Sequence, residues 1–208
     1  MLTPLPDQFF RPSASAVAPL LLGHWLIRMT EEGPCGGPIV EVEAYLADDP
    51  ACHAFNGETP RNRTMWGPPG QAYVYLIYGY HFCVNAVCCP QGTAEAVLIR
   101  AIEPSVGETL LQRNRPARTR GDLTNGPAKL CAAMRIDRRL DGTNLCDARS
   151  PLFIGTNPDI RRFQETHGPV VATTRVGISK AAELPLRFYL AGSLFVSQRT
   201  RKRSGTET

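Results

Sequence analysis

The sequence predicts a mixed α/β (α+β) fold: one domain over residues 1–196 with a curved, mainly antiparallel sheet, surrounding helices and a protruding aromatic β-hairpin. Three observations lead there. The 208 residues show no internal repeat, no linker-like break and no second apolar core, and a chain of this length can bury one substantial core without staples. Strand-like runs of β-branched and aromatic residues lie next to each other across short turn sequences, the pattern of hairpins. The helical stretches between them are short.

Taken in order, residues 1–12 carry Pro4, Pro6, Phe9, Phe10 and Pro12 and are expected as an extended arm. Ser13 or Ser15 can cap a short helix, with Pro19 tolerated only in its first turn and Gly23 closing it. His24 to Met29 reads as a strand, with His24 a surface or core histidine. Glu31 to Pro38 reads as a glycine-rich turn. The next strand, Ile39 to Leu46, alternates: Val40, Val42, Ala44 and Leu46 form an apolar face, and Ile39, Glu41, Glu43 and Tyr45 form the other. A strand held by aliphatics on one side is a rigid mount for chemistry on the other.

Residues 47–70 lack periodicity and are full of turn chemistry, yet His53, Phe55, Met65 and Trp66 are too apolar for disorder, so a functional loop is expected. Arg61 and Arg63 in it suit either phosphate or an internal carboxylate. Residues 72–89 form a hairpin pattern turning near Tyr78-Gly79-Tyr80. Its five aromatics from Tyr73 to Phe82 fit a tyrosine-rich sheet core or a stacking platform with an aromatic tip. Residues 94–102 read as an almost wholly apolar strand into which Arg100 intrudes; a charge there must be paired, and a carboxylate is the natural partner.

Glu108 to Arg113 is a short helix, followed by a mobile basic loop to Gly121 with Arg115, Arg118 and Arg120. Pro127 suits the first turn of a helix through Met134, whose start, with Thr124, Asn125 and Lys129, suits phosphate. Leu152 to Ile154 is a short strand. Residues 175–180, with Arg175 and Lys180, read as a basic contact segment. Leu186 to Leu190 leads to a last expected strand at Leu194–Val196, and residues 197–208 form a basic tail expected to be disordered.

Charge is unevenly placed. Residues 1–100 carry five Arg/Lys against nine Asp/Glu, and residues 101–208 carry eighteen against ten, so the overall +4 divides into −4 and +8. This points to an anionic partner met mainly by the second half, although arginines that simply solvate a surface give the same count. Seven cysteines without a C-x-x-C pair argue against a secreted disulfide scaffold and a zinc site, and so for a reducing, intracellular compartment. The longest apolar run, Ala16 to Ile27, is interrupted and too short to span a bilayer, so no membrane association is expected.

No nucleophile elbow, phosphate loop, dinucleotide fingerprint or metal-ligand spacing is present, and no metal or cofactor is expected. Glu41 and Glu43 might suggest a glycosidase-like carboxylate pair, but adjacent same-face positions of one strand cannot easily flank a bond from both sides. One of them is expected to be structural; alternation alone gives them equal standing.

Ile39-Val-Glu-Val-Glu-Ala-Tyr45, His53, Thr59-Pro-Arg-Asn62, Tyr73-Val-Tyr-Leu-Ile-Tyr-Gly79, Asn85, Leu98-Ile-Arg-Ala-Ile-Glu-Pro104, Gly126-Pro-Ala-Lys-Leu130 and Pro185-Leu-Arg-Phe-Tyr189 together resemble the alkyladenine (3-methyladenine) DNA glycosylase family. No single piece is specific; the ordered set, running from about Leu20 to Val196, is. The resemblance implies Glu43 as the general base acting on water, with Arg100 beside it. It implies Tyr45, His53 and Tyr75 as walls of a flipped-base pocket, Asn85 as the residue crowding guanine's amine, and Tyr78 as the wedge entering the minor groove. It implies double-stranded DNA with damaged purines as partner. No lysine falls within the pocket motifs, so a water-using enzyme without a Schiff-base step is expected, and a monomer is the default expectation. Arg61, Thr124, Lys129 and Lys180 are the candidate phosphate contacts. A non-catalytic lesion-recognition module and an RNA-directed hydrolase are the rival readings.

Overall fold

The computed structural model describes residues 2–197. Among them, eight strands pair throughout in antiparallel fashion and four α-helices pack around the sheet, which curls into half a barrel. The strands are β1 (Trp25–Thr30), β2 (Gly33–Tyr45), β3 (Ala72–Ile77), β4 (His81–Cys88), β5 (Glu95–Ile102), β6 (Leu152–Gly155), β7 (Val170–Thr173) and β8 (Arg187–Leu190). Neighbours run β3-β4-β5-β2-β1-β6, with β8 also on β2 and β7 on β8.

β2 is the pivot. Its first half pairs with β1, and its second half lies between β5 and β8. The expected turn over Glu31 to Pro38 is therefore only Glu31-Glu32, and the glycines after it are strand. They are small because both sides are crowded: a Cβ on Gly36 would sit 2.0 Å from the Leu26 carbonyl oxygen, and one on Gly37 would sit 1.8 Å from that of Glu103.

The β2–β5 register contains two compensating irregularities. Ile39 faces Ile102, Glu41 faces Ala101 and Val42 faces Ile99, so Val40 is unopposed on β2 and Arg100 is unopposed on β5. Such bulges re-aim side chains next to functional sites. Here they break the simple alternation: Ile39, expected beside the glutamates, joins Val40, Val42 and Ala44 in the main core. Leu46 falls just outside the strand and packs at that core's edge.

The main core lies between this face of the sheet and α1 (Ala14–Leu21), α2 (Glu108–Asn114) and α3 (Pro127–Ala133). Pro19 stands in the sixth position of α1, not in its first turn. The Ser13 side chain does not cap that helix; Glu95 does, its Oε2 accepting the Ala14 N–H at 2.8 Å. This explains the one acid at the edge of an apolar strand. A smaller apolar cluster, including Tyr73, Tyr75, Cys83, Ala96 and Leu98, lies on the opposite face of the sheet.

Helix α4 (Ile160–His167) and β7 had no counterpart in the sequence reading. Helix α4 is amphipathic but polar over most of its length and leaves no residue fully buried, whereas α1 is apolar over most of its length and buries four residues. Leu194–Val196 is a turn rather than a strand, although Phe195 and Val196 are buried. The expected tail begins too early by one residue, because Ser197 bonds into the protein interior; residues 198–208 lie outside the described residues. Every cysteine is a free thiol. No helix among the described residues is long and apolar enough to cross a membrane.

Candidate active site

Glu41 and Glu43 project from β2 to the face opposite the main core, and both are fully buried. The re-aimed Arg100 reaches both, with its Nε 2.8 Å from Glu41 Oε1 and its Nη1 3.1 Å from Glu43 Oε1. The expected carboxylate partner of Arg100 is thus a pair. Burial alone would weaken this cation, but the charges of Glu43 and Glu41 hold its pKa above the ordinary value.

The two acids have different surroundings. Glu41 also accepts Arg187 Nε at 2.7 Å, the Ser197 N–H at 2.7 Å and the Ser197 hydroxyl at 2.8 Å. Burial pushes its pKa up, yet the two arginines and Ser197 outweigh this and hold it below the usual carboxylate value. Glu41 is a saturated anchor. Glu43 accepts the Val176 N–H on Oε1 at 2.8 Å and the Tyr45 hydroxyl on Oε2 at 2.9 Å. A carboxylate offers about four lone-pair sites, so Glu43 keeps capacity for a further donor.

Glu43 also lines a cavity of about 360 Å³, and Glu41 does not. The walls include Tyr45, His53, Tyr73, Tyr75, Asn85 and Arg100, with Tyr78 among the lining residues. All six expected catalytic, pocket and wedge residues other than Glu43 (Arg100, Tyr45, His53, Tyr75, Asn85 and Tyr78) therefore line one cavity with it. Tyr73 and Tyr75 stack at 5.3 Å between centroids, and His53 stands edge-on to Tyr75 at 4.4 Å. Tyr73 and Tyr75 are buried, as a tyrosine-rich sheet core requires, and both also line the cavity. His53 Nδ1 lies 3.0 Å from the Tyr73 hydroxyl, and burial, then the nearby Arg61 charge, lowers the imidazole pKa. Burial first, then the Glu43 charge, pushes the Tyr45 phenol well above its ordinary pKa, so it stays a donor.

The loop carrying His53 is fixed despite its lack of periodicity. Asn62, buried, donates to the His53 and Gly57 carbonyls at 2.9 and 3.0 Å and accepts the Thr59 N–H at 2.7 Å. Asn85 donates to the Tyr73 carbonyl at 2.9 Å, locking its amide at the cavity wall. At the hairpin turn, Tyr78 has φ 53° and Gly79 φ 80°, the left-handed pair of a type I′-like turn. Tyrosine is strained there, and strain of this kind gathers at functional positions. Tyr78 is 73 % exposed and Tyr80 72 %, so two aromatic rings stand in solvent at the tip.

The candidate phosphate contacts divide. Lys180 and Arg61 are exposed, and Arg61 donates to the Leu76 carbonyl at 3.1 Å, bracing the loop against β3. Thr124 is fully buried and donates to the Ile102 carbonyl at 2.6 Å, so its side chain cannot reach a phosphate. Lys129 is bonded to Asn125 at 2.7 Å and Asp122 at 3.2 Å. The basic loop after α2 is also internally tied: Arg115 holds the Asp122 carbonyl, and Arg120 pairs with Glu108. Arg175, expected as a surface contact, is 5 % exposed and pairs with Asp49.

Sequence reasoning missed Tyr73, Asp49 and the Val176 N–H. Tyr73 was legible, because it shares a strand face with Tyr75. A backbone N–H delivered by a distant loop has no residue signature. No cluster able to hold a metal ion occurs among the described residues.

A family model described as Methylpurine-DNA glycosylase matches residues 8–194. A protein of Methanoculleus marisnigri named "Putative 3-methyladenine DNA glycosylase" is 49% identical over 195 residues, covering 94% of this chain and 99% of its own length. Proteins of the same name from Carboxydothermus hydrogenoformans and Rubrobacter xylanophilus are 42% and 45% identical, covering 94% and 89% of this chain and 99% and 92% of their own. The chain belongs to the methylpurine-DNA glycosylase family.

Proposed function

We propose that this DNA glycosylase flips alkylated or deaminated purines out of duplex DNA and hydrolyses their N-glycosidic bond with a water activated by Glu43, leaving an abasic site. The observation that carries this reading is a buried carboxylate with spare acceptor capacity at an aromatic cavity lined also by an exposed, strained tyrosine. A base inside a duplex must leave the stack before its glycosidic bond is reachable, at a cost of about a few kcal/mol. Tyr78 entering the gap offsets part of that cost by stacking. The extruded purine then lies among Tyr45, His53 and Tyr75, and a cationic alkylated purine gains from the tyrosine faces.

Water held by Glu43 attacks the deoxyribose C1′, the bond from C1′ to the purine nitrogen breaks, and its electron pair leaves with the base. The water proton passes to Glu43. Arg100 holds Glu43 in place. Asn85 narrows the pocket where guanine carries its amine. Among the described residues no lysine lines the cavity, which favours water over an amine nucleophile and hence a monofunctional enzyme. Lys180 and Arg61 are exposed and available to phosphate. The enzyme works as an intracellular monomer.

The test is single-turnover excision from duplexes bearing 3-methyladenine, hypoxanthine or ethenoadenine, with Glu43→Gln alongside. Excision is expected to vanish in the variant while binding to an abasic-site duplex persists. Equal excision by the variant overturns the role of Glu43, and failure of the wild type on every lesion leaves the recognition-module reading.

A further inference from the structure

The cavity has two walls contributed by segments far apart in sequence. One is the loop after β2, with Ala51 and His53; the other is the segment Val176-Gly177-Ile178. Both are pinned at a single buried point. Asp49, 2 % exposed, begins the first wall, and Arg175, 5 % exposed, begins the second. Their side chains form a two-pronged pair: Arg175 Nη1 bonds Asp49 Oδ2, and Nη2 lies 3.0 Å from Oδ1.

Each partner also organises its own segment. Asp49 Oδ1 accepts the Ala51 N–H at 2.9 Å. Arg175 donates to the Ala44 carbonyl of β2 at 3.0 Å and to the Ala181 carbonyl at 3.3 Å, closing residues 175–181 into a loop. Its guanidinium carbon lies 4.7 Å from the centre of the Tyr45 ring. The consequences converge on one carboxylate. Tyr45 donates to Glu43 Oε2, and the residue after Arg175 donates its N–H to Glu43 Oε1.

We infer that Asp49 and Arg175 form a positioning pair for the reaction: by fixing the Tyr45 ring and the Val176 N–H together, the pair holds Glu43 in its reactive orientation and sets the spacing of the two cavity walls. The inference rests on Glu43 being the base. A buried ion pair by itself is weak evidence of stabilisation, because apolar residues of the same volume often serve as well. A planar guanidinium supplies what they cannot, namely two parallel bonds to a carboxylate together with a flat face for an aromatic ring. The charged and titratable groups packed around this point include Glu41, Glu43, Tyr45, Cys52, Arg100, Asp49 and Arg175.

The test compares wild type, Asp49→Asn, Arg175→Lys and the charge-neutral double variant Asp49→Asn/Arg175→Gln, with Glu43→Gln as reference. Single-turnover excision and its pH profile, affinity for an abasic-site duplex, and melting temperature are measured. Displacing a catalytic group by about 1 Å costs about 10²-fold in rate, so excision in Asp49→Asn and Arg175→Lys is expected to fall between about 10-fold and 10²-fold. The acid limb of the pH profile should shift while abasic-site affinity stays within about 3-fold, equivalent to under about 0.7 kcal/mol. The double variant removes both charges together, and supplies the measurement if a single variant does not fold. Folded variants with unchanged excision and pH profile, whatever their melting temperature, overturn the inference. Loss of excision only in step with loss of duplex binding overturns it as well. If Glu43→Gln retains excision, the reading of Glu43 itself fails, which is a separate result.

Discussion

Replacing Glu41 by glutamine isolates the work of the saturated acid from that of the reactive one. Glu41 accepts four bonds, from Arg100, Arg187 and both donors of Ser197, and no solvent reaches it. The amide preserves shape but removes the carboxylate charge that Arg187 and Arg100 both bond. Removing one partner of a buried ion pair costs about 3–5 kcal/mol. For a chain of this size each kcal/mol corresponds to about 2–4 °C in melting temperature, so a fall of about 6–20 °C at neutral pH is expected. The pH dependence has a definite sign. The folded pKa of Glu41 lies below its ordinary value, so its contribution is present above that value and is lost as pH falls through the folded one. Calorimetric melts of wild type and Glu41→Gln from neutral to acid pH should therefore converge at the acid end. Excision should fall too, because Arg100 loses the bond that aims it. A melting temperature within about 2 °C of wild type at neutral pH, under about 1 kcal/mol, would refute the anchoring argument.

Three other perturbations separate surface roles from packing roles. Tyr78→Gly relieves a left-handed tyrosine at the hairpin tip, so the protein should melt no lower than wild type while lesion-duplex binding weakens more than undamaged-duplex binding; equal losses in the two titrations would make Tyr78 a packing residue only. Thr124→Val should destabilise by about 1–3 kcal/mol through the orphaned Ile102 carbonyl with DNA affinity unchanged. Lys180→Ala, in contrast, should leave stability alone and reduce the slope of log affinity against log salt by about 0.9, the value for one phosphate contact. An unchanged slope removes Lys180 from the footprint.

Much of the architecture was written locally. Alternation along β2 sets Glu41 and Glu43 on one side and aliphatics on the other, and the residues around Gly79 can hardly do other than turn. The apolar run with Arg100 in it announces a buried ion pair, because no lone guanidinium is tolerated there. The elements that escaped, α4 and β7, are short; α4 offers only Ile160 and Phe163 as large apolar side chains and β7 only four residues, so their periodicity runs for too few positions to stand out.

What the sequence determined by itself is the set of residues able to do chemistry and the family to which their order points. What only the tertiary structure decided is which of them act on one another. The glutamates look alike along the strand, and they differ because Arg187 and Ser197 arrive beside Glu41 whereas Tyr45, Val176 and the cavity arrive beside Glu43. Thr124 and Arg175 read as surface contacts until the fold buries them against Ile102 and Asp49. Two bulges, invisible in any propensity, turn Arg100 toward both acids. Side-chain chemistry is a local property, but burial and charge pairing depend on residues that are distant in the chain, and these decide which carboxylate is anchored and which remains free to react.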